Sequence, residues 1–222
     1  MSTVLITGAT GGIGKAILKN FSQDKHFDVL GLSSKDCDLN SLHKIEENIK
    51  NYRVADISTL ILAAGINEPK PLLETNLELI NKTINTNVLG HKIILDLVLP
   101  HMVQNKFGRI VALSSLYSQK SRNGRWAYSA SKAMLETLIR SVALEFAEYN
   151  ILANSVVPGF VDTPLTRKNN LPSAISSLTS KIPIGRMATA QEIADLVYFL
   201  ASSSNRYITG QSFFVDGGIS LL

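Results

Sequence analysis

The sequence predicts an α/β protein built on a single doubly wound parallel sheet with helices on both faces. Three observations carry that expectation. Short β-branched runs alternate with longer stretches of helical period along the whole chain. The strand candidates are apolar throughout, as in Leu60-Ile61-Leu62-Ala63, which suits strands covered on both faces. No repeat, low-complexity tract or Pro/Gly-rich linker divides the 222 residues, so residues 1–222 read as a single domain. Strand–helix alternation implies right-handed crossovers, and the ligand of such a sheet lies beyond the carboxyl ends of its strands.

Strands are expected at about 3–7, 28–32, 57–63, 108–114, 151–157 and 211–215. Helices are expected at about 13–23, 41–51, 75–104, 127–149 and 190–202. The helix 127–149 is the clearest, because Leu135, Leu138, Ile139, Val142, Leu144 and Phe146 recur at helical spacing too broadly for a solvated face. Function is therefore sought where the strands run out, after Thr7, Leu32, Ala64, Ser114 and Val157.

Composition excludes several classes. Apolar residues make up 45% and charged residues 18%, which suits a buried core and not a disordered chain. No apolar run reaches the roughly 18 residues a membrane span needs. Met1-Ser2-Thr3 passes straight into Val4-Leu5-Ile6, with no basic n-region and no long h-region. The single cysteine, Cys37, leaves no internal disulfide and no multi-cysteine metal site. His26, His43, His91 and His101 show no metal spacing and receive no role, so no metal is expected. A cytoplasmic protein without a membrane partner is the natural reading. Net charge is +4 (22 basic minus 18 acidic residues), but the basic residues are scattered, so no nucleic-acid footprint is read from them.

Two motifs carry chemistry. Thr7-Gly8-Ala9-Thr10-Gly11-Gly12-Ile13-Gly14 follows the first strand and opens the first helix. Such a turn aims free backbone N–H groups and the positive end of the helix dipole at one point, which suits a pyrophosphate. Its glycines permit positive φ and close backbone approach. The second motif is Tyr128-Ser129-Ala130-Ser131-Lys132, whose four-residue separation puts phenol and ammonium on one helix face. An ammonium beside a phenol is expected to lower the phenol's pKa, fitting it to exchange a proton with a carbonyl or alcohol oxygen.

The Thr-Gly-x-x-x-Gly-x-Gly spacing and the Tyr-x-x-x-Lys pair together resemble the classical short-chain dehydrogenase/reductases, across residues 3–219. The resemblance implies a Rossmann-type fold and an NAD(P)(H)-dependent oxidoreductase that interconverts a carbonyl and a secondary alcohol. Residue by residue it implies that Tyr128 transfers the proton and Lys132 lowers its pKa and grips the nicotinamide ribose. Ser115, 13 residues before Tyr128, would hold the substrate oxygen. Ser115 is favoured over Ser114, whose alternating side chain points elsewhere. Asn87, in Asn85-Thr86-Asn87-Val88-Leu89-Gly90, looks like the family asparagine whose amide, or a nearby backbone carbonyl, binds a water linking the lysine to solvent.

The same resemblance implies the cofactor contacts. Gly8, Thr10, Gly11, Gly12, Ile13 and Gly14 would hold the pyrophosphate. Leu62-Ala63-Ala64-Gly65 stand where the family has Asn-Asn-Ala-Gly, with Ala63, Ala64 and Gly65 expected at the cofactor; Ala64-Gly65 match, and the missing first asparagine normally ties neighbouring strands together. Pro158 and Gly159 shape the turn at the nicotinamide, where the Val161 backbone and the Thr163 hydroxyl would meet the carboxamide and a phosphate. From Ser33-Ser34 to Cys37-Asp38-Leu39 there is almost no chain, where many members have a full helix. Asp38-Leu39 looks like the family's adenine-holding Asp-Val with that helix deleted, which leaves the adenine end open.

Ser33, Ser34 and Lys35 offer two hydroxyls and a cation at the place where a carboxylate would select NAD(H), so NADP(H) is favoured and NAD(H) stays open. Asp36 could reach the ribose instead. Two segments should border the substrate: Tyr117–Trp126, with Lys120, Arg122 and Arg125, and the Ser/Asn-rich stretch after Thr163, through Arg167-Lys168-Asn169-Asn170 to Ile182, expected to form a mobile lid. These cations would suit an anionic carrier. The leading expectation is a carbonyl reductase acting on a small-molecule substrate, of the 3-oxoacyl carrier-protein reductase type or a ketoreductase of sugar or polysaccharide pathways. A catalytically inactive dinucleotide-binding regulator and a nucleotide-sugar epimerase or dehydratase are the alternatives. Family members assemble through the two long helices, so a homodimer or homotetramer is expected.

Overall fold

The computed structural model describes residues 2–50 and 52–222. Six strands form one sheet: β1 (Ser2–Thr7), β2 (Phe27–Leu32), β3 (Ile57–Leu62), β4 (Gly108–Leu113), β5 (Ile151–Pro158) and β6 (Ser212–Val215). Their order is β2-β1-β3-β4-β5-β6, and every neighbouring pair is parallel. All residues of β4 and β5 are buried, so both strands are mostly apolar, and the polar Arg109 and Asn154 among them are held by hydrogen bonds to the Asn205 and Ile208 carbonyls.

Each face of the sheet has its own core. On one side α1 (Gly12–Ser22) and α8 (Ala190–Ala201) bury Ile17, Phe21, Ile193 and Val197 against Val4, Ile61 and Val111. On the other side α2 (Leu42–Lys50), α4 (Gly90–Asn105) and α5 (Trp126–Phe146) bury Ile45, Ile94, Leu135 and Ile139 against Leu5, Leu60 and Ile110. Full burial of one such side chain contributes about 1.5–3 kcal/mol, so both layers hold the sheet firmly. The chain leaves β1 toward β2 on one side and returns to β3 on the other. The exits of β1 and β3 therefore flank the reversal of strand order, where a crevice opens in sheets of this kind.

Three local features depart from the periodic reading. The helix expected at 75–104 is a continuous helical path, but it divides into α3 (Leu77–Ile84), a π-turn over Asn85–Leu89, and α4. The wide turn re-aims the residues after it, a device frequent at functional sites. Ser33 to Ser41 contains only turns, in keeping with the deleted helix, and α2 follows at Leu42; Asn51, the last residue of the helix expected there, lies outside the described residues. The Ser/Asn-rich segment holds two short helices that periodicity does not indicate, α6 (Pro164–Lys168) and α7 (Pro172–Thr179). Each begins with proline, whose fixed φ and missing N–H suit the first helical turn. Among the described residues no helix is long and apolar enough to cross a membrane.

Candidate active site

The glycine turn is drawn against the exit of β3. Gly8 has φ +67°, and a Cβ there would lie 2.7 Å from the Ala64 Cα, so only glycine permits this approach. The Thr7 hydroxyl accepts hydrogen bonds from the backbone N–H groups of Ala63 (3.0 Å) and Ala64 (3.1 Å). It also meets His91 Nε2 at 3.2 Å, while His91 Nδ1 lies 3.2 Å from the Asn87 carbonyl oxygen. A carbonyl can only accept, so Nδ1 carries the proton and Nε2 accepts from Thr7. Burial, with the Lys132 charge behind it, pulls His91 down to about 3 and keeps it neutral.

His91 thus joins the turn after β1 to the residue at the π-turn, and the absence of any role for it in the sequence reading is corrected. The one hint was a polar residue four positions after Asn87, on the same helical face. It supplies a polar tie beside Leu62-Ala63, where the family asparagines are missing.

A cavity of about 350 Å³ opens over this turn. Gly8, Thr10 and Gly11 form one wall, Ser33, Ser34, Asp38 and Leu39 a second, and Ala63, Ala64 and Gly65 a third. Lys82 and Thr86, which sequence reasoning did not single out, complete it. Gly11 caps α1 without a side chain and no acidic residue stands in its first turn, so the helix presents bare N–H groups. A phosphate-bearing dinucleotide fits this cradle. Gly12 and Gly14 lie in the first turn of α1 itself.

Two residues at the β2 end depart from expectation. Lys35 is exposed and lies outside the cavity wall. Asp36 turns back on Ser33, accepting from its N–H (2.8 Å) and its hydroxyl (2.6 Å), and these bonds hold its carboxyl below the ordinary range. Asp38 accepts from the Asn40 N–H (3.0 Å) and the Ser41 hydroxyl (3.1 Å), fixing the short connection before α2.

A second, smaller cavity of about 130 Å³ adjoins the glycine turn through Ile13. Ser115 and Tyr128 line it, together with Pro158, Gly159, Val161 and Thr163 from the segment after β5. Ser114 also borders the cavity, but its hydroxyl is taken by Glu136 Oε1, to which it donates at 2.5 Å. Ser115 lines the cavity with Tyr128, its hydroxyl accepting from the Tyr117 N–H at 3.3 Å. The alternation of a strand separates the two serines.

Tyr128, Lys132 and Glu136 follow one another at four-residue spacing along α5. Lys132 is buried; its ammonium donates to the Leu113 carbonyl at 2.7 Å and stands 5.8 Å from the centre of the Tyr128 ring. Desolvation pulls the lysine down to about 8, and the Glu136 carboxylate opposes that shift. Glu136 itself is buried and also accepts from the Ser212 hydroxyl at 2.9 Å. The expected lowering of Tyr128 by Lys132 is corrected: burial pushes the phenol up, opposed by the Ser115 hydrogen bond and then by the charge of Arg125. The lysine ammonium, held by the Leu113 carbonyl, does not outweigh that burial.

Asn87 is fully buried. Its Oδ1 accepts from the Ile66 N–H at 2.8 Å, and its Nδ2 donates to the Ile66 carbonyl (3.0 Å) and the Ser131 hydroxyl (2.9 Å). Both amide N–H groups are therefore engaged by protein, and the side chain pins the loop after β3 to α5. A Cβ on Gly65 would lie 3.2 Å from Lys132 Nζ and 3.3 Å from Asn87 Oδ1, so this loop is held close to both.

Comparison with known proteins agrees with this architecture. A family model described as enoyl-(acyl carrier protein) reductase matches residues 18–220. The 3-oxoacyl-(acyl-carrier-protein) reductase of Thermotoga maritima is 34% identical over 241 residues, covering 97% of this chain and 96% of the relative. A proposed NAD(P)-dependent gluconate 5-dehydrogenase from Beutenbergia cavernae, solved with NADP bound at low occupancy, superposes with TM-score 0.92 at 27% identity, covering 100% and 97% of the two chains. The ligand-free aldohexose dehydrogenase of Thermoplasma acidophilum superposes with TM-score 0.88 at 29% identity, covering 100% and 94%. With the turn after β1, the helix-borne tyrosine and lysine, and these full-length similarities together, the chain belongs to the short-chain dehydrogenase/reductase family and is an oxidoreductase of that family.

Proposed function

We propose that this oxidoreductase interconverts a ketone and a secondary alcohol, working with NADP(H) in preference to NAD(H). The observation that carries the reading is the meeting of Tyr128 and Ser115 in one small cavity that borders the glycine turn. A bound reduced nicotinamide would supply the hydride to the carbonyl carbon. Tyr128 gives its phenolic proton to the carbonyl oxygen, and its raised pKa keeps that proton in place at neutral pH. Ser115 holds the same oxygen. Lys132 provides the nearby positive charge that favours the phenolate left behind, and Asn87 keeps the Gly65–Ile66 loop in register with both. In the oxidative direction the same groups act in reverse.

The preference for NADP(H) is supported by the β2 end of the larger cavity. Ser33 and Ser34 stand directly after β2, Asp36 is folded back on Ser33, and Lys82 adds a cation to the wall. A carboxylate facing the ribose would repel a 2′-phosphate; hydroxyls and an ammonium welcome it. The Beutenbergia neighbour was solved with NADP bound. The relatives' names point to 3-oxoacyl carriers and sugar acids as substrate classes. Exposed Met134 and Leu144 on α5 support a homodimer or homotetramer through the long helices, and the single cysteine suits the cytoplasm.

The test is direct. Purified protein is mixed with NADPH or NADH and a panel of ketones while reduced-nicotinamide absorbance is followed. Ketone-dependent oxidation is expected, with kcat/KM for NADPH at least about tenfold above that for NADH, the worth of one charged contact. No ketone-dependent oxidation with either nucleotide would contradict the reading.

A further inference from the structure

Of the five cations expected at the substrate entrance, four have ordinary surroundings. Arg167 forms a two-pronged pair with Asp162 at 2.8 Å and 2.8 Å. Arg122 donates to the Tyr117 hydroxyl at 2.9 Å, Lys120 reaches the Ile219 carbonyl at 3.5 Å, and Lys168 is exposed. Arg125 differs. It is 6% exposed, it lines the same small cavity as Tyr128 and Ser115, and it has no carboxylate partner among the described residues.

Two of its five N–H groups make hydrogen bonds, to Asn67 Oδ1 at 2.8 Å and to the Asn169 carbonyl at 3.3 Å. Both acceptors are neutral. A guanidinium removed from water without a counter-charge is costly, and desolvation weakens its hold on its proton. Planar guanidinium and planar carboxylate match bidentately, so the missing partner has an obvious chemistry.

We propose that Arg125 is the anchor for a substrate carboxylate, so that the substrate is a short free oxo acid, or its hydroxy acid, with the carboxylate a few bonds from the reacting carbon. The inference deepens the reading above and rests on it. Arg125 sits at the N-terminal boundary of α5, three residues before Tyr128, so one element fixes the anchor relative to the proton donor. Asn67 and Asn169 hold the guanidinium in place, and Asn169 Nδ2 donates to the Asn67 carbonyl at 2.8 Å, closing the cluster.

The competing possibility is that Arg125 only braces the loop after β3 against α6. Calorimetric titration separates the two. Wild-type and Arg125→Gln proteins are titrated with 2-oxobutanoate, acetoacetate and levulinate and with the neutral amide of each, and kcat/KM is measured for the same probes with NADPH. At least one acid is expected to bind about 10- to 100-fold tighter than its amide, the range of one desolvated charged hydrogen bond. Arg125→Gln should abolish that preference, Arg125→Lys should restore part of it, and NADPH should still bind both variants.

Equal affinity of every acid and its amide for wild type overturns the proposal. So does a parallel loss of acid and amide binding in Arg125→Gln, the signature of a brace, or reduction of S-acetoacetyl-N-acetylcysteamine in preference to every free acid. Failure of the wild type to bind NADPH and reduce any ketone would instead remove the oxidoreductase reading, while the acid-versus-amide titration still decides the anchor.

Discussion

The Thr7 hydroxyl accepts from two backbone N–H groups, and its single proton faces two acceptors, His91 Nε2 at 3.2 Å and the Ile61 carbonyl at 3.3 Å. His91 is fully buried and also meets the Asn87 carbonyl at 3.2 Å. His91→Ala leaves Thr7 its Ile61 acceptor but empties a buried site and removes the tie to Asn87, so a loss of about 1–3 kcal/mol in unfolding free energy is expected. The sign of its pH effect follows from its depressed basicity. An unfolded histidine takes up a proton below about 6.5, whereas folded His91 resists until about 3. Its contribution to stability is therefore complete above pH 6.5 and falls by about 1.4 kcal/mol per unit as pH drops toward 3. Urea unfolding from pH 7.5 to 4.5 should show a shallower slope for His91→Ala than for wild type; identical slopes would contradict the assignment. Thr7 was legible from its place in the turn, but His91 was not. The partner that gives it meaning lies 84 residues away in the chain and only the fold joins them.

At the scale of one element, α5 sets the proton chemistry through the row Tyr128, Lys132, Glu136. Lys132 is charged below about pH 8 and neutral above it, and the charged form favours the phenolate. The rate of ketone reduction is thus expected to fall above about pH 8. Glu136 favours the ammonium, so Glu136→Gln, which keeps the shape and removes the charge, should move that alkaline limb to lower pH. A pH profile of kcat for both proteins checks this, and an unmoved limb would show that Glu136 does not act on Lys132. The Tyr128–Lys132 spacing was readable; the part of Glu136 and the direction of the tyrosine shift were not, because burial and the hydrogen bond to Leu113 depend on the packing of α5 against β4. The π-turn was hidden for a related reason. One extra residue in a turn leaves the apolar pattern of 77–105 intact on either side.

The whole molecule explains why so much of the plan could be read from sequence. A sheet covered on both faces forces its strands to be apolar along their length, as in Ile110-Val111-Ala112-Leu113, so the strands and long helices announce themselves. The reversal of strand order then brings the exits of β1 and β3 together and gives the glycine turn its neighbour. What escaped were features without a periodic face. The helices α6 and α7 are too short and polar to show one, and Arg125 looks in sequence like Lys120 and Arg122, although only Arg125 is buried. The central claim is that this assembly places the Tyr128 phenol where it trades a proton with the substrate oxygen. Tyr128→Phe removes that one hydroxyl and leaves the ring, and single-turnover ketone reduction with NADPH measures the consequence. A fall of about 10²- to 10⁴-fold is expected while NADPH affinity is retained; turnover close to the wild-type rate would contradict the account.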